Sequence, residues 1–497
     1  MMKKIILIIL TIALITGCYY EYSAETVSYA LGEKEFPGYY LLSRPSQTEM
    51  TIQVIPDQET SVVIEYGKED EAMNRVTKAQ TGSKDAPISV VLNELEVGAS
   101  YTYRIRFKEN DSQDWYVSES SDFQLPRQAG QPFKFVIQSD SHLSNKADRP
   151  VYNDVMNQIA DFGPDLFMDL GDTFLNDQDG NKNLEQVDAI YYEQLPYLNT
   201  VAKSAPLYLV IGNHEGEYGF LNDGTANNLP TYSALSRKKY YPNPLPNDFY
   251  TGNEEVEPFI GQPENYYAFQ WGDALFVALD PYRYTTIMHS ESKKGWDWTL
   301  GDAQYEWLTT TLEESDAKYK FVFAHHAIGN IRGGDMISDL YEWGGRNKRG
   351  IWLFDTYRPT WEKPIHQLMV DEGVTAFFQG HDHIFSREEV DGIIYQTLPK
   401  PAEVIPDQQN NFDSFPNGDV MANSGYLEVY VESDYVQVDY IRSVVAGDET
   451  NQATGKVYSY RIHKVKEVEV LVHHDDTEII ENYLKLSPNI RRPAPKK

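Results

Sequence analysis

The sequence predicts an α/β domain preceded by a smaller all-β sandwich, and three observations carry that reading. First, five strand-like apolar runs, 133–137, 165–170, 207–211, 320–324 and 375–379, are each followed closely by Asp, Asn or His. A chain that ends strand after strand in such residues gathers them at one edge of a sheet, where α/β proteins place their sites. Second, the first two runs are separated by an amphipathic stretch at 149–162, which has the rhythm of a βαβ unit. Third, residues 35–125 alternate in short segments with turn residues between them, the pattern of a β-sandwich.

In that N-terminal region strands are predicted at 50–55, 61–66, 88–92 and 100–107. The segment from Leu92 to Ile105, which includes Leu95, Tyr101 and Tyr103, resembles the tyrosine-corner region of fibronectin type III domains, with Tyr101 as the corner residue. The segment 127–132 reads as a linker to the second domain. There, Val151, Val155, Ile159 and Phe162 line one helical face, and Gly163-Pro164 stops the helix. Residues 215–262, rich in Asn, Gly, Pro and Tyr, read as a long loop or insertion shaping one wall of the site. Residues 266–279 read as a hairpin turning at Gly272-Asp273, and 304–312 as a helix with Trp307, Leu308 and Leu312 inward. Residues 384–445 alternate again and are expected to complete a second sheet. The domain layout is therefore 1–17 signal segment, 18–34 anchor and tether, 35–126 sandwich, 132–445 catalytic domain and 446–497 C-terminal extension. That extension could pack on the sandwich, add a strand or trail.

Length and composition agree with a multidomain globular protein: 497 residues, 41% hydrophobic and 24% charged. The net charge of −32 repels a phosphate backbone, so non-specific nucleic-acid binding is not expected. Phosphorylated small molecules stay possible, because bound metal ions reverse the local field. At the N-terminus Lys3 and Lys4 precede the apolar run 5–15, too short to span a bilayer and suited to a signal peptide. Ile15-Thr16-Gly17-Cys18 resembles a bacterial lipobox, which implies cleavage before Cys18 and a lipid on it. Cys18 is the single cysteine, so internal disulfides are excluded. The expectation is a lipid-anchored protein of the cell envelope, on its periplasmic or extracellular face.

Five motifs follow the apolar runs: Asp140-Ser141-His142, Gly171-Asp172, Gly212-Asn213-His214, His325-His326 and Gly380-His381-Asp382-His383. They hold six of the eleven histidines. A carboxylate can bridge two ions about 3.5–4 Å apart, and Asp172 after a glycine suits that place. The i, i+2 spacing of Asp140 with His142, and of His381 with His383, would put each pair on one side of a strand. Mixed N and O donors suit zinc, iron or manganese.

As a set, from about 133 to 385, these motifs resemble the calcineurin-like metallophosphoesterase superfamily, which includes the purple acid phosphatases. The resemblance implies an α+β sandwich, two packed sheets flanked by helices. It also implies two divalent or trivalent transition-metal ions. One ion takes Asp140, His142, Asp172 and His383. The other takes Asp172, Asn213, His325 and His381. His214 is then the catalytic group that hydrogen-bonds the phosphate and protonates the leaving oxygen. The implied reaction is in-line attack on phosphorus by a hydroxide held between the metals, most simply on a phosphate monoester as in acid phosphatases. A phosphodiesterase or nucleotidase on the same site is the alternative, and a non-catalytic surface-binding lipoprotein is an alternative of another class. Leu175 occupies the position of the tyrosinate ligand of purple acid phosphatases, and His142 that of a glycine, which argues against a tyrosinate-bound iron. His325 is placed as the ligand and His326 as its alternative or a supporting donor. His289, His366, His463, His473 and His474 are expected to be surface or structural. Between the last two motifs, Arg332, Trp343, Arg358 and Trp361 belong to a Gly- and aromatic-rich insertion. It can be read as a substrate rim with an arginine on the phosphate, or as a packed loop.

Overall fold

The computed structural model describes residues 32–109, 112–144, 146–178, 180–288, 295–329, 331–403, 414–421, 424–443, 455–463 and 468–470. The signal segment, Cys18, most of the tether, His289, His473, His474 and most of the C-terminal extension lie outside them.

The N-terminal β-rich region is built as two antiparallel sheets. Strands Gly38–Ser43, Met50–Pro56 and Ile88–Leu92 make one. The other is centred on Thr60–Lys68 paired with Ser100–Glu109. Period-two alternation in Ser100–Glu109 turns Tyr101, Tyr103, Ile105 and Phe107 into a shared core with Leu42, Ile52, Val54, Val62 and Ile64. The Tyr101 hydroxyl accepts from the Glu96 backbone N–H at 2.9 Å, which pins the turn before its own strand.

The second unit has four layers. A seven-stranded sheet contains Phe133–Gln138, Leu166–Asp169 and Leu207–Leu209 in parallel. An eight-stranded sheet contains Ala274–Ala278, Tyr319–Phe323, Ala376–Gln379 and Ile393–Thr397 in parallel. The sheets enclose an aromatic core in which Phe135, Phe276, Phe321, Phe323 and Phe378 contact one another. Helices α1 (Arg149–Phe162) and α2 (Leu184–Ala202) cover the outer face of the first sheet. α1 starts on the Asp148 side chain, which accepts from Val151 N–H, and stops at left-handed Gly163. α2 opens with a reciprocal cap between Asn183 and Gln186. Leu41 and Ile55 of the sandwich join this helical layer, and Tyr103 OH donates to Lys203 O at 2.6 Å, so the two units are packed together.

Three expectations change. The segment 215–262 is no plain loop, because it carries helix α3 (Leu229–Tyr240). Its buried face is polar: Ser233, Ser236 and Arg237 are buried, and the Arg237 guanidinium bonds Glu217 at 2.7 and 3.1 Å. An apolar stripe was therefore absent from the sequence. Residues 384–445 do not form one sheet. Phe385–Val390, Ile393–Thr397 and Asp419–Met421 extend the eight-stranded sheet, whereas Gly425–Val431 and Tyr435–Arg442 return to the other, with Phe133 opposite Val431. Helix α4 (Asp302–Glu313) buries Gln304, Tyr305, Leu308 and Leu312, while Trp307 sits at the margin and donates to Thr251 Oγ1. The hairpin is as expected, with Trp271 opposite Ala274. Gly455–His463 and Val468–Val470 add antiparallel strands to the seven-stranded sheet. Among the described residues, no helix is long and apolar enough to cross a membrane.

Candidate metal centre

The carboxyl ends of five parallel strands, three from one sheet and two from the other, meet at one edge. Each motif residue leaves its strand there. The strands end at Gln138 and Gln379, so Asp140, His142, His381 and His383 are past them. Strand alternation is thus not what pairs these side chains. Asp140, His142, Asp172, His381 and His383 all have positive φ, 59°, 20°, 51°, 68° and 58°. Asp and His tolerate this region better than most residues, yet each such residue costs about 1–3 kcal/mol. The glycines let the loops approach. A Cβ on Gly380 would collide with Ser139 Oγ and Asp140 Oδ2, and one on Gly212 with Asp172 and Glu215.

The side chains converge in two separate groups, and a third, His142, Asp172 and His214, overlaps both. Asp140, His142 and His383 form one, with His383 Nε2 3.2 Å and His142 Nε2 3.8 Å from Asp140 Oδ1. Asp172, His325 and His381 form the other, with His325 Nε2 3.0 Å from Asp172 Oδ2. Asp172 lies between them, its Oδ2 also 3.6 Å from His142 Nε2. The Asn213 side-chain amide is 2.8 Å from His381 Nδ1. Donors held about 2.0–2.2 Å from a shared transition-metal ion are spaced in about this way. Asp140 Oδ1 and His142 Nε2 are buried and make no hydrogen bond among the described residues. Buried polar atoms are seldom left so unless something else binds them. The donor set therefore fits metal ions.

Electrostatics fit as well. Burial disfavours charge on Asp140 and Asp172, but the surrounding histidines outweigh it and hold both carboxyls below the usual range. The two adjacent histidines separate cleanly. His325 Nδ1 lies 2.9 Å from Leu170 O, which orients Nε2 toward Asp172. His326 directs Nε2 to Ile331 O at 3.1 Å and stacks on the His381 ring at 4.0 Å. Burial, then the neighbouring His325, pushes its pKa down to about 3, so it is a neutral support.

His214 stands at the open side. Its Nδ1 is 2.7 Å from Asp177 Oδ1 and its Nε2 3.9 Å from Asp172 Oδ2. Burial lowers its pKa, but the Asp177 hydrogen bond and the Asp172 charge prevail and raise it to about 9. With no metal ion on Asp172, the ring favours its protonated form. Sequence reasoning missed Asp177, whose only signal is its place five residues after Asp172. It also missed Glu215, next to His214. The buried Glu215 carboxylate accepts from the backbone N–H groups of Asp172, Thr173, Phe174 and Gly212 at 2.6–3.1 Å. It staples the second motif loop to the third. Asp169 does similar work, accepting from Gly171 N–H, Thr173 Oγ1 and Gln138 Nε2.

The insertion resolves into short helical turns, Gly334–Ile337, Tyr341–Gly344 and Phe354–Tyr357. Arg358 is not at the site's mouth. Its guanidinium bonds buried Glu342 at 2.8 and 3.0 Å and lies over Trp361. Arg332 instead bonds the Asp382 carboxylate, between the two ligand-like histidines of the last motif. His366 is structural, between Tyr395 OH and Asp391.

The profile of the calcineurin-like phosphoesterases matches residues 133–385, just over half the chain. The search of curated proteins found no match. Among solved structures, one described as PhoD aligns at 15% identity with a TM-score of 0.62, over 88% of this chain and 92% of that one. Purple acid phosphatase PPD1 from seeds of yellow lupin (Lupinus luteus) aligns at 14% identity with a TM-score of 0.56, over 86% of this chain and 74% of that one. At such identity these two likenesses speak for the fold alone. The family profile, set beside the donor cluster at the sheet edge, carries the conclusion: this chain belongs to the calcineurin-like phosphoesterases and is a metal-dependent phosphoester hydrolase.

Proposed function

We propose that the protein is a dimetal phosphomonoesterase carried by a lipid anchor. The observation that supports this most directly is the set of overlapping donor groups around His142 and Asp172, beside a His214 ring held by Asp177. Asp140, His142, Asp172 and His383 would hold one ion, and Asp172, Asn213, His325 and His381 the second. Bound there, Fe, Zn or Mn ions supply Lewis acidity and activate water for attack on phosphorus. The chain's own residues do the rest. Glu215 and Asp169 hold the ligand loops in their strained conformations. Leu170 O fixes the His325 ring. Asp177 orients His214, whose Nε2 proton goes to the leaving oxygen. The substrate is a small phosphorylated molecule.

The finer reading of the N-terminal region is a fibronectin type III-like sandwich, supported by the Tyr101–Glu96 hydrogen bond. The anchor at Cys18 and a location in the cell envelope, on the periplasmic or extracellular face, rest on the motif at 15–18.

The test is hydrolysis of an aryl phosphate monoester and the matching diester, side by side, with metal-loaded protein. Monoester turnover that disappears in Asp172→Asn supports the proposal. Preference for the diester would replace it with a phosphodiesterase, and turnover of neither ester would remove it.

A further inference from the structure

We propose that Arg332 is the anion contact at the mouth of the metal centre, and that it favours phosphate monoesters over diesters. The proposal rests on the phosphomonoesterase reading above. Arg332 sits at the start of the insertion and reaches the last motif loop, where one of its N–H groups donates to Asp382 Oδ1. Asp382 is buried and lies in the chain between His381 and His383, each of which belongs to one of the two donor groups. The guanidinium is therefore tied to the same short loop as both groups. Its charge also reaches His326, which stacks on His381.

The tie uses only part of the arginine. A guanidinium has five N–H donors in a planar fork. Among the described residues, Asp382 is the hydrogen-bond partner of Arg332, and the side chain stays 26% exposed. Three other cations of this domain are committed. Arg358 bonds Glu342, Arg283 bonds Glu257, and Lys400 lies 3.2 Å from Glu403 in a nearly buried pair. Among the described residues, Arg332 differs in having one hydrogen-bond partner while its side chain stays partly exposed. Such a fork suits the terminal oxygens of phosphate. A monoester presents three terminal oxygens and up to two charges, whereas a diester presents two oxygens and one charge. A fixed cation at the mouth thus favours the monoester. The carboxylate of Asp382 positions the guanidinium without touching the substrate.

The experiment compares wild type, Arg332→Gln and Arg332→Lys as full-length, metal-loaded protein. Readouts are KM and kcat for the aryl monoester and diester, inhibition by inorganic phosphate, and metal content. One charge-assisted hydrogen bond corresponds to about ten- to a hundredfold in binding. In Arg332→Gln the monoester KM and the phosphate inhibition constant should rise by about that factor. The diester KM should change by less than about threefold, with metal content unchanged. Arg332→Lys should recover part of the loss, since it restores charge without the fork. Unchanged phosphate inhibition would overturn the proposal. Equal losses on both esters, or loss of metal, would overturn it too, by making Arg332 a purely structural clamp on Asp382. Failure of the phosphomonoesterase reading looks different: wild type itself would turn over neither ester, or the diester alone.

Discussion

The space between the two sheets and the edge where those sheets end follow opposite rules. Between the sheets, Phe135, Phe276, Phe321, Phe323 and Phe378 are fully or almost fully buried, and their rings meet at 5.1–6.0 Å. Backbone conformation there is ordinary strand. At the edge, five motif residues have positive φ, two carboxylates are buried side by side, and Asp140 Oδ1 and His142 Nε2 make no hydrogen bond among the described residues. The first region supplies stability, and the second draws on it. A cluster of strained, charged loops persists because a rigid aromatic interior fixes where five strands end. The contrast also explains Glu215 and Asp169. They bring hydrogen bonds to a place where packing cannot act.

Four changes would break or sharpen this contrast. The largest concerns the edge alone. His214→Ala should reduce kcat for monoester hydrolysis by about 10²–10⁴-fold, the usual range for a general acid. Metal content and thermal stability should stay near wild type. A loss of bound metal in this variant would make His214 a ligand instead. Next comes the interior. Phe321→Ala should lower unfolding stability by about 3–5 kcal/mol, because it opens a cavity where the rings of Phe135, Phe276 and Phe378 now pack. Denaturant unfolding followed by fluorescence would measure this, and a change below about 1 kcal/mol would mean that the interior is not the stabilising region. The third change links the two regions. Glu215→Gln places an amide N–H₂ against backbone N–H donors, which should cost about 2–4 kcal/mol in stability and lower activity together with it. Full activity at full stability would show that the staple is unnecessary.

The smallest expected effect is a pH dependence at a carboxyl that is none of the candidate ligands. Burial pushes the Glu388 carboxyl from the usual value near 4.5 up to about 7. The folded protein then keeps a proton that the unfolded chain releases. Its contribution to stability therefore falls as pH rises from about 4.5 to 7, and stays low above that window. Glu388→Gln should remove this slope, raising stability at pH 8 relative to pH 4 by on the order of 1–3 kcal/mol compared with wild type. Parallel pH–stability curves for the two proteins would refute it.

Much of this was legible in the chain itself. Helix α1 was predicted at its observed bounds, since an apolar face and a Gly-Pro stop are local signals. The hairpin at Gly272-Asp273 was equally local. Helix α3 was not legible, because its buried face is satisfied by an ion pair with Glu217, which is distant in sequence from Arg237. The split of 384–445 between two sheets was hidden too. Period-two alternation says that a strand has one buried face, not which sheet it joins.

At the site, the sequence by itself determined which residue types gather and that they do so at strand ends, because those signals are short and repeated five times. Tertiary structure alone decided how they are used. It turned His325 toward Asp172 through the carbonyl of Leu170, just past the end of another strand, and stacked His326 away as a neutral support. It set Asp177 on His214 and Glu215 under two loops. It put Arg358 against Glu342 and Arg332 against Asp382. The physical reason is the same in each case. Hydrogen bonds and ion pairs are directional and act over about 3 Å. Their partners are therefore chosen by the packing of distant segments, which no local pattern encodes.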